Sequence, residues 1–405
     1  MSAGSRGPVL IAGGGIGGMA AALALARRGL RVEVFEQSAE IGEIGAGVQL
    51  APNAFAAFDA LGVGERARGR AVYNDRMVMM DAVDGSVVAD VPFDQAFRDR
   101  FGNPYAVMHR ADVHGSLVEG ARAEARIAIR TSTRIERFTQ DADGVTAIDS
   151  QGNEHRGAAL VGCDGVKSAV RGQLIGDPVR VSGHVVYRAV VDAAEFPADL
   201  AWNAAAVWAG PNCHLVHYPL RGGEQYNVVV TFHSRETETW GVREGSRAEV
   251  LSYFDGICDR ARQLLELPKS WKRWATADRE PIGRWSEGAV TMLGDAAHPL
   301  LQYLAQGACM ALEDAVTLGA AVDAEAGDGS PDRADWPAVF RRYESARVAR
   351  TARVVLMTRE MGRLYHAKGV ERLVRNQLWK GRTPQRYYDA LEWLYGWTAE
   401  RCLDG

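Results

Sequence analysis

The sequence has few of the residues that build disulfide or zinc sites. Its cysteines are odd in number and widely scattered: Cys163, Cys213, Cys258, Cys309 and Cys402. Because no two of them form a C-x-x-C pair, the pattern argues against a disulfide framework and a zinc site. It predicts no metal centre and fits a reducing cytoplasm.

Long apolar runs and an excess of positive charge are missing as well. No apolar run reaches the roughly 18 residues of a membrane span, and residues 1–7 are too short and polar for a secretion signal. A net charge of −4 gives no reason to expect nucleic-acid binding. The sequence therefore predicts a cytoplasmic protein with no membrane or nucleic-acid partner, and its 405 residues suffice for two or three domains.

Glycine is concentrated near the start of the chain. Gly13, Gly15 and Gly18 match G-x-G-x-x-G, between an apolar run of strand length at residues 9–12 and an Ala/Leu-rich stretch typical of a helix. The first glycine permits a tight turn, the second lets the backbone approach a pyrophosphate, and the third lets helix and strand pack closely. The N–H groups at the helix start then face the pyrophosphate.

An acidic residue follows at the spacing that a dinucleotide site requires. Glu36 ends the next predicted strand, 36 − 18 = 18 residues after Gly18, close to the spacing of about 20 for a carboxylate that binds ribose. A glycine-rich turn with a solvated glutamate is the alternative. The strand–turn–helix context favours a cofactor site, and the small residues at 42–47 predict a loop close to the same ligand.

Two further motifs identify the cofactor. Residues 162–171 read GCDGVKSAVR and residues 294–299 read GDAAHP. With the first motif, they make the whole chain resemble the single-component flavoprotein aromatic hydroxylases, the para-hydroxybenzoate hydroxylase superfamily. The resemblance implies non-covalent FAD, NADH as a transient co-substrate, O2, a flavin C4a-hydroperoxide and a homodimer. It assigns cofactor contacts to Asp164, Gly294, Asp295 and Arg110.

The resemblance also implies a fold class. We expect an α/β protein: a Rossmann-like FAD-binding domain with an inserted, mostly antiparallel β-sheet substrate domain and a helical C-terminal tail. The alternating Val-, Tyr-, Trp- and His-rich pattern at residues 183–233 favours the inserted sheet. The expected boundaries are 1–73, 101–180 and 276–355 for the FAD-binding domain, 74–100 and 181–275 for the substrate domain, and 356–405 for the tail.

The loop at residues 300–315 narrows the resemblance to one group within this superfamily. It resembles that of 3-hydroxybenzoate 6-hydroxylases, which implies conversion of 3-hydroxybenzoate to 2,5-dihydroxybenzoate (gentisate). Salicylate or hydroxynicotinate hydroxylation and a non-hydroxylating flavin oxidoreductase remain alternatives. A helix opening at Gly307 and Ala308 would offer N–H groups to negative charge on a reduced flavin.

Phenol hydroxylation requires a proton acceptor near the substrate hydroxyl. Residues 212–219 alternate as a strand, which puts His214 and Tyr218 on one face and His217 on the other. The resemblance favours His214 as base, with Gln302 on the opposite wall. Packed or solvated strand histidines are the alternative. Tyr105 and Asp75 are weaker pocket candidates, and Tyr105 could equally be a core aromatic residue.

Overall fold

The computed structural model describes residues 7–42, 47–327, 331 and 334–404. The predicted loop residues 43–46 lie outside these ranges. The strands, in chain order, are β1 (Val9–Ala12), β2 (Val32–Phe35), β3 (Gly47–Leu50), β4 (Val72–Tyr73), β5 (Arg76–Asp81), β6 (Val87–Pro92), β7 (Ala106–His109), β8 (Ile127–Arg130), β9 (Ile135–Asp141), β10 (Gly144–Asp149), β11 (Glu154–Gly157), β12 (Ala159–Gly162), β13 (Arg180–Asp192), β14 (Ala204–Gly210), β15 (Cys213–Leu220), β16 (Gln225–His233), β17 (Gly241–Gly245), β18 (Trp271–Asp278) and β19 (Val290–Met292).

Helices separate and flank these strands. They are α1 (Ile16–Ala26), α2 (Pro52–Ala60), α3 (Gly64–Arg68), α4 (Gln95–Phe101), α5 (Arg110–Ala123), α6 (Ala169–Leu174), α7 (Arg247–Tyr253), α8 (Asp259–Glu266), α9 (Gly307–Ala326), α10 (Trp336–Tyr365), α11 (Gly369–Trp379) and α12 (Pro384–Tyr395). Within the described ranges, no helix is both long and apolar enough to cross a membrane.

A parallel sheet carries the sequence motifs. Its strand order is β19-β12-β1-β2-β8 and all of its pairs are parallel. The strands β1, β12 and β19 are fully buried, as apolar runs covered on both faces should be. Parallel strands end at one edge, so the turns after these three strands meet there. Those turns contain the three glycine-rich motifs, and the α/β prediction is confirmed.

An eight-stranded sheet covers the cavity described below. Its order is β17-β18-β13-β16-β15-β14-β5-β6, and every pair is antiparallel except β14 with β5. Two separate stretches of chain build it, 76–92 and 180–278. One face packs on α7 and α8 around Trp208 and Phe232. The prediction of a mostly antiparallel inserted sheet is confirmed.

The C-terminal helices pack against both sheets. Helix α10 contacts α9, and α11 is held at the end of β5 because Arg372 and Asn376 both donate to the buried carboxylate of Asp81. In α12, the hydroxyl of Tyr388 donates to the carbonyl oxygen of Pro92 at 2.7 Å. The helical tail that the sequence predicts is therefore part of the packed body of the protein.

Candidate active site

One cavity of about 620 Å³ lies between the motif edge of the parallel sheet, the eight-stranded sheet and helices α9, α10 and α12. Most of the site residues predicted from the sequence line it: Gly15, Tyr105, Arg110, His214, Tyr218, Gly294, Asp295, Gln302, Gly307 and Ala308. The cofactor motifs and the predicted substrate wall therefore border the same space.

The first glycine turn is shaped by close backbone contacts. Gly13 has φ +105°, and a Cβ there would lie 2.3 Å from the carbonyl oxygen of Cys163. A Cβ on Gly18 would lie 1.9 Å from the carbonyl oxygen of Gly13. Glu36 accepts hydrogen bonds at 2.8 Å from the backbone N–H groups of Gly14 and Ser38. Its carboxylate therefore lies at the glycine turn, beside the cavity rather than among its lining residues.

Asp164 leaves one oxygen without a partner at the second motif. Its Oδ2 accepts from the N–H of Ala169 at 2.7 Å, at the start of α6. Its Oδ1 is buried with no hydrogen-bond partner among the described residues, and burial raises the pKa of the carboxyl. Gly165, with φ +76°, lines the cavity next to it. A buried oxygen without a partner beside a cavity fits a ligand that donates a hydrogen bond.

A buried ionic network holds the third motif against α9. Asp314 accepts from the N–H of Gly294 at 3.0 Å and from Arg347 at 2.6 Å, and it contacts Nε2 of His298 at 2.5 Å. Arg347 also donates to Glu313 at 2.6 Å. The charges of His298 and Arg347 keep the pKa of Asp314 at about 2, against the desolvation that would raise it. The network fixes the Gly294–Asp295 turn relative to α9.

Strand β15 forms one wall of the cavity, and its side chains alternate between two faces as the sequence predicts. His214 and Tyr218 line the cavity from one face. His217 lies on the other face against Phe196 and Trp208, and both of its ring nitrogens are buried without partners among the described residues. Two histidines three residues apart therefore have different surroundings: only His214 can meet a ligand in the cavity.

His214 is held by a second histidine. Its ring is 2 % exposed, and its Nδ1 lies 2.8 Å from Nε2 of His366, the residue that follows α10. Burial, with a smaller contribution from nearby His184, lowers the pKa of His214 to about 3. The ring is therefore neutral at pH 7, with Nε2 as the nitrogen left for a ligand.

The other predicted pocket residues differ in position. Gln302, in a short 3₁₀ turn, donates to Oγ1 of Thr231 at 3.4 Å from the opposite wall. Tyr105 is both a core and a cavity residue, because its ring stacks on Phe93 while its hydroxyl reaches the cavity residue Gln49 at 2.5 Å. Asp75 does not join them. Its side chain is exposed, and only its backbone takes part in the sheet.

The sequence reading missed a cation in the cavity wall. Arg188 lies on β13, level with the cavity residue Val229 of β16, and lines the cavity itself. Among the described residues no carboxylate or hydrogen-bond acceptor meets its guanidinium, whose Cζ lies 5.7 Å from the ring centre of Trp274. Burial lowers its pKa. A charged residue inside the apolar run 185–191 was the signal that could have revealed it.

Comparison with known proteins gives one consistent result. The family described as FAD binding domain matches residues 6–358. A 3-hydroxybenzoate 6-hydroxylase from Polaromonas naphthalenivorans is 68 % identical over 98 % of this chain and 97 % of its own. One from Klebsiella oxytoca is 60 % identical over 98 % of both chains.

Solved structures agree with the sequence relatives. A salicylate hydroxylase substrate complex superposes with a TM-score of 0.83 at 25 % identity, over 99 % of this chain and 98 % of that one. Klebsiella pneumoniae HpxO, complexed with FAD and uric acid, superposes with a TM-score of 0.82 at 25 % identity, over 98 % and 97 % of the two chains.

Proposed function

We propose that this chain, which belongs to the FAD binding domain family, is a monooxygenase that converts 3-hydroxybenzoate to 2,5-dihydroxybenzoate with NADH and O2. The observation that carries the proposal is that one and the same cavity is bordered by the glycine motifs on one side and by His214, Tyr218 and Gln302 on the other. A phenol bound against this wall would lie beside the cofactor.

FAD fits the motif edge of the cavity. The turn from Gly13 to Gly18 and the start of α1 would hold the pyrophosphate, and Glu36 the ribose. Gly165, the residue after Asp164, and the Gly294–Asp295 turn line the same space, and the unpartnered Oδ1 of Asp164 lies beside it. When bound, FAD supplies electron transfer from NADH and activation of O2. Gly307 and Ala308 at the start of α9 line the cavity, so this helix end would offer its N–H groups and positive dipole end to a bound flavin.

Arg188 is the candidate partner for the substrate carboxylate. Arg188 is half-buried, and a partly desolvated charge without a counter-ion would stabilise an anionic ligand in the cavity. Guanidinium and carboxylate groups form two parallel hydrogen bonds, which would also orient the aromatic ring. We therefore assign the carboxylate to Arg188 and the phenolic hydroxyl to His214 and Gln302.

His214 would take the phenolic proton. A neutral imidazole is the form that accepts a proton, and burial maintains it at neutral pH. A phenolate formed beside the ring favours the protonated imidazole by its charge, which offsets part of the desolvation. Gln302 would orient the phenolic oxygen, and Tyr218 would close the wall. The phenolate raises electron density at the para carbon, where hydroxylation gives 2,5-dihydroxybenzoate.

Other residues support a proposal for the oligomeric state of the protein and for its cellular location. An exposed apolar stripe runs along α11, and it consists of Val370, Leu373, Val374 and Leu378. Contiguous apolar patches mark interaction sites, and we propose that this one belongs to a homodimer interface. The five free cysteines suit a reducing cytoplasm. Light scattering should give a dimer mass, and Leu373→Asp should shift it toward the monomer.

Turnover with a panel of acids tests the proposed reaction. The purified protein would be incubated with NADH, O2 and each of 3-hydroxybenzoate, salicylate and 6-hydroxynicotinate, and the products separated by chromatography. The proposal expects 2,5-dihydroxybenzoate from the first acid only. A hydroxylated product from salicylate or 6-hydroxynicotinate would mean that the chain acts on a different substrate from the one proposed. Hydrogen peroxide alone from all three would indicate a non-hydroxylating flavoenzyme.

A further inference from the structure

Four of the nine histidines form one cluster beside the cavity. They are His214 on β15, His366 after α10, His184 on β13 and His233 at the end of β16. Successive ring centres are 5.1, 5.4 and 5.1 Å apart in that order. His214 is buried, His366 and His184 are partly exposed, and His233 is exposed. The cluster therefore leads from the cavity to solvent.

The contacts of the cluster are not those of a metal site. The described residues contain no group of three or more potential ligands arranged to hold a metal ion. Instead, His184 contacts the hydroxyl of Tyr303 through Nδ1 at 2.7 Å, and the ring of Tyr365 lies against His214. Burial lowers the pKa of His184 to about 4, His233 and Arg180 contribute in the same direction, and the charge of Asp278 opposes them. Neutral imidazoles in such a row can pass a proton between their nitrogens.

The pair His214–His366 has two proton arrangements. The 2.8 Å distance between Nδ1 of His214 and Nε2 of His366 requires that one ring donate and the other accept. If His214 donates, its Nε2 carries a lone pair and can accept a proton in the cavity. If His366 donates, Nε2 of His214 carries hydrogen and cannot. The partner histidine therefore decides whether His214 is a base.

The backbone fixes His366 at this place. Its N–H donates to the carbonyl oxygen of Gly362 at 3.1 Å, and its own carbonyl accepts from the N–H of Asn212 at 3.0 Å, one residue before β15. A Cβ on Gly362 would lie 2.8 Å from the ring of Tyr303, so α10 approaches the cavity wall closely. These contacts hold the end of α10 and the start of β15 together and bring the two rings into contact.

We propose that His366 is a positioning residue that sets the basic tautomer of His214 and relays the substrate proton toward solvent. The phenolic O–H bond breaks and an N–H bond forms at Nε2 of His214. The Nδ1 proton of His214 moves to Nε2 of His366, and the Nδ1 proton of His366 leaves to solvent on the side of His184 and His233. One proton is transferred and no electron moves. The inference rests on the proposed role of His214.

The test compares His366→Gln with His366→Ala. Glutamine keeps a hydrogen-bonding group near His214 but cannot carry a proton onward. His155→Gln is the matched control, because His155 pairs with Asp149 on the separate β9–β11 sheet. Coupled turnover is measured from pH 6 to pH 10. Proton release on mixing with 3-hydroxybenzoate is followed with an indicator dye in weak buffer.

We expect both His366 variants to retain FAD and to show KM within a few-fold of wild type. At neutral pH their proton release and hydroxylation should slow about tenfold or more, up to the roughly 10²–10⁴-fold that loss of general-base assistance typically costs. The loss should shrink at high pH, and free imidazole should restore the alanine variant. His155→Gln should behave as wild type.

Two results separate this inference from the proposed function. If His214→Ala is impaired while both His366 variants keep the wild-type pH profile and proton-release rate, then His366 does not relay the proton. The proposed role of His214 as the base is unaffected by that result. If His214→Ala hydroxylates normally, the proposed base itself is wrong, and the relay falls with it.

Discussion

The floor and the wall of the cavity are built in different ways. The floor consists of the turns after β1, β12 and β19 and the start of α9, where backbone groups and glycines approach the ligand. The wall consists of side chains from distant parts of the chain: His214 and His366, in contact, are 152 residues apart. Variants of the wall should therefore keep FAD and lose hydroxylation, whereas variants of the floor should lose FAD.

Replacing His214 should give the largest effect on the wall side. His214→Ala should retain FAD and still oxidise NADH, but coupled hydroxylation at neutral pH should fall about 10²–10⁴-fold, as expected for loss of a general base. Oxygen consumption without product would appear as hydrogen peroxide. High pH should restore part of the loss, because a phenol with a pKa near 10 then ionises unaided.

The neighbouring histidine is the control for this variant. His217 has the same burial on the other face of β15, so His217→Ala should lower stability but change coupling far less. If His214→Ala keeps the wild-type rate and coupling while His217→Ala loses coupling, then His217 and not His214 faces the substrate.

Replacing Arg347 should give the largest effect on the floor side. Arg347→Met leaves the buried carboxylates of Glu313 and Asp314 short of a counter-ion, which typically costs about 3–5 kcal/mol. We expect a lower melting temperature and weak FAD retention. Arg342 is on α10, as Arg347 is, and forms an exposed ion pair with Glu325 of α9; Arg342→Met should change stability by less than about 1 kcal/mol. Equal melting temperatures for the two variants would contradict a supporting role for the network.

The same contrast explains what the sequence could reveal. Each part of the floor is a short local segment, so the glycine spacing with Glu36 and the motifs at residues 162–171 and 294–299 can each be found in the sequence. Alternation within β15 likewise places His214 and Tyr218 on one face. The sequence contains no signal that pairs His214 with His366, because the contact depends on how α10 ends against β15. Asp75 lies outside the cavity lining for a related reason: its position next to β5 does not determine which way its side chain points.

Arg188 tests whether the wall recognises the carboxylate. Arg188→Met should weaken binding of 3-hydroxybenzoate by about 1.5–3 kcal/mol, the typical contribution of a hydrogen bond to a charged group, and should leave FAD in place. The neutral analogue 3-hydroxybenzamide is the matched probe. Its affinity should change little, and Arg188→Lys should recover part of the acid's affinity. An equal loss for acid and amide would mean that Arg188 acts on the shape of the wall and not on charge.

Glu36 gives the smallest expected effect and the finest test of the floor. Its carboxylate lies beside the glycine turn and accepts from the N–H of Gly14, so it is placed to meet the ribose hydroxyls. Removing it in Glu36→Ala should weaken FAD binding roughly tenfold, or about 1.4 kcal/mol, and leave coupling in the FAD-saturated enzyme unchanged.

Glu33→Ala is the matched control, since Glu33 is on β2, which ends just before Glu36, and forms an exposed ion pair with Arg130. Exposed pairs contribute at most about 1 kcal/mol, and this one does not touch the glycine turn, so FAD affinity should not change. The comparison is made by titrating apoprotein with FAD. Equal FAD affinities for the Glu36→Ala and Glu33→Ala variants would mean that a residue other than Glu36 binds the ribose. A loss of coupling in saturated Glu36→Ala would show that the floor also shapes the chemistry, which the division between floor and wall does not allow.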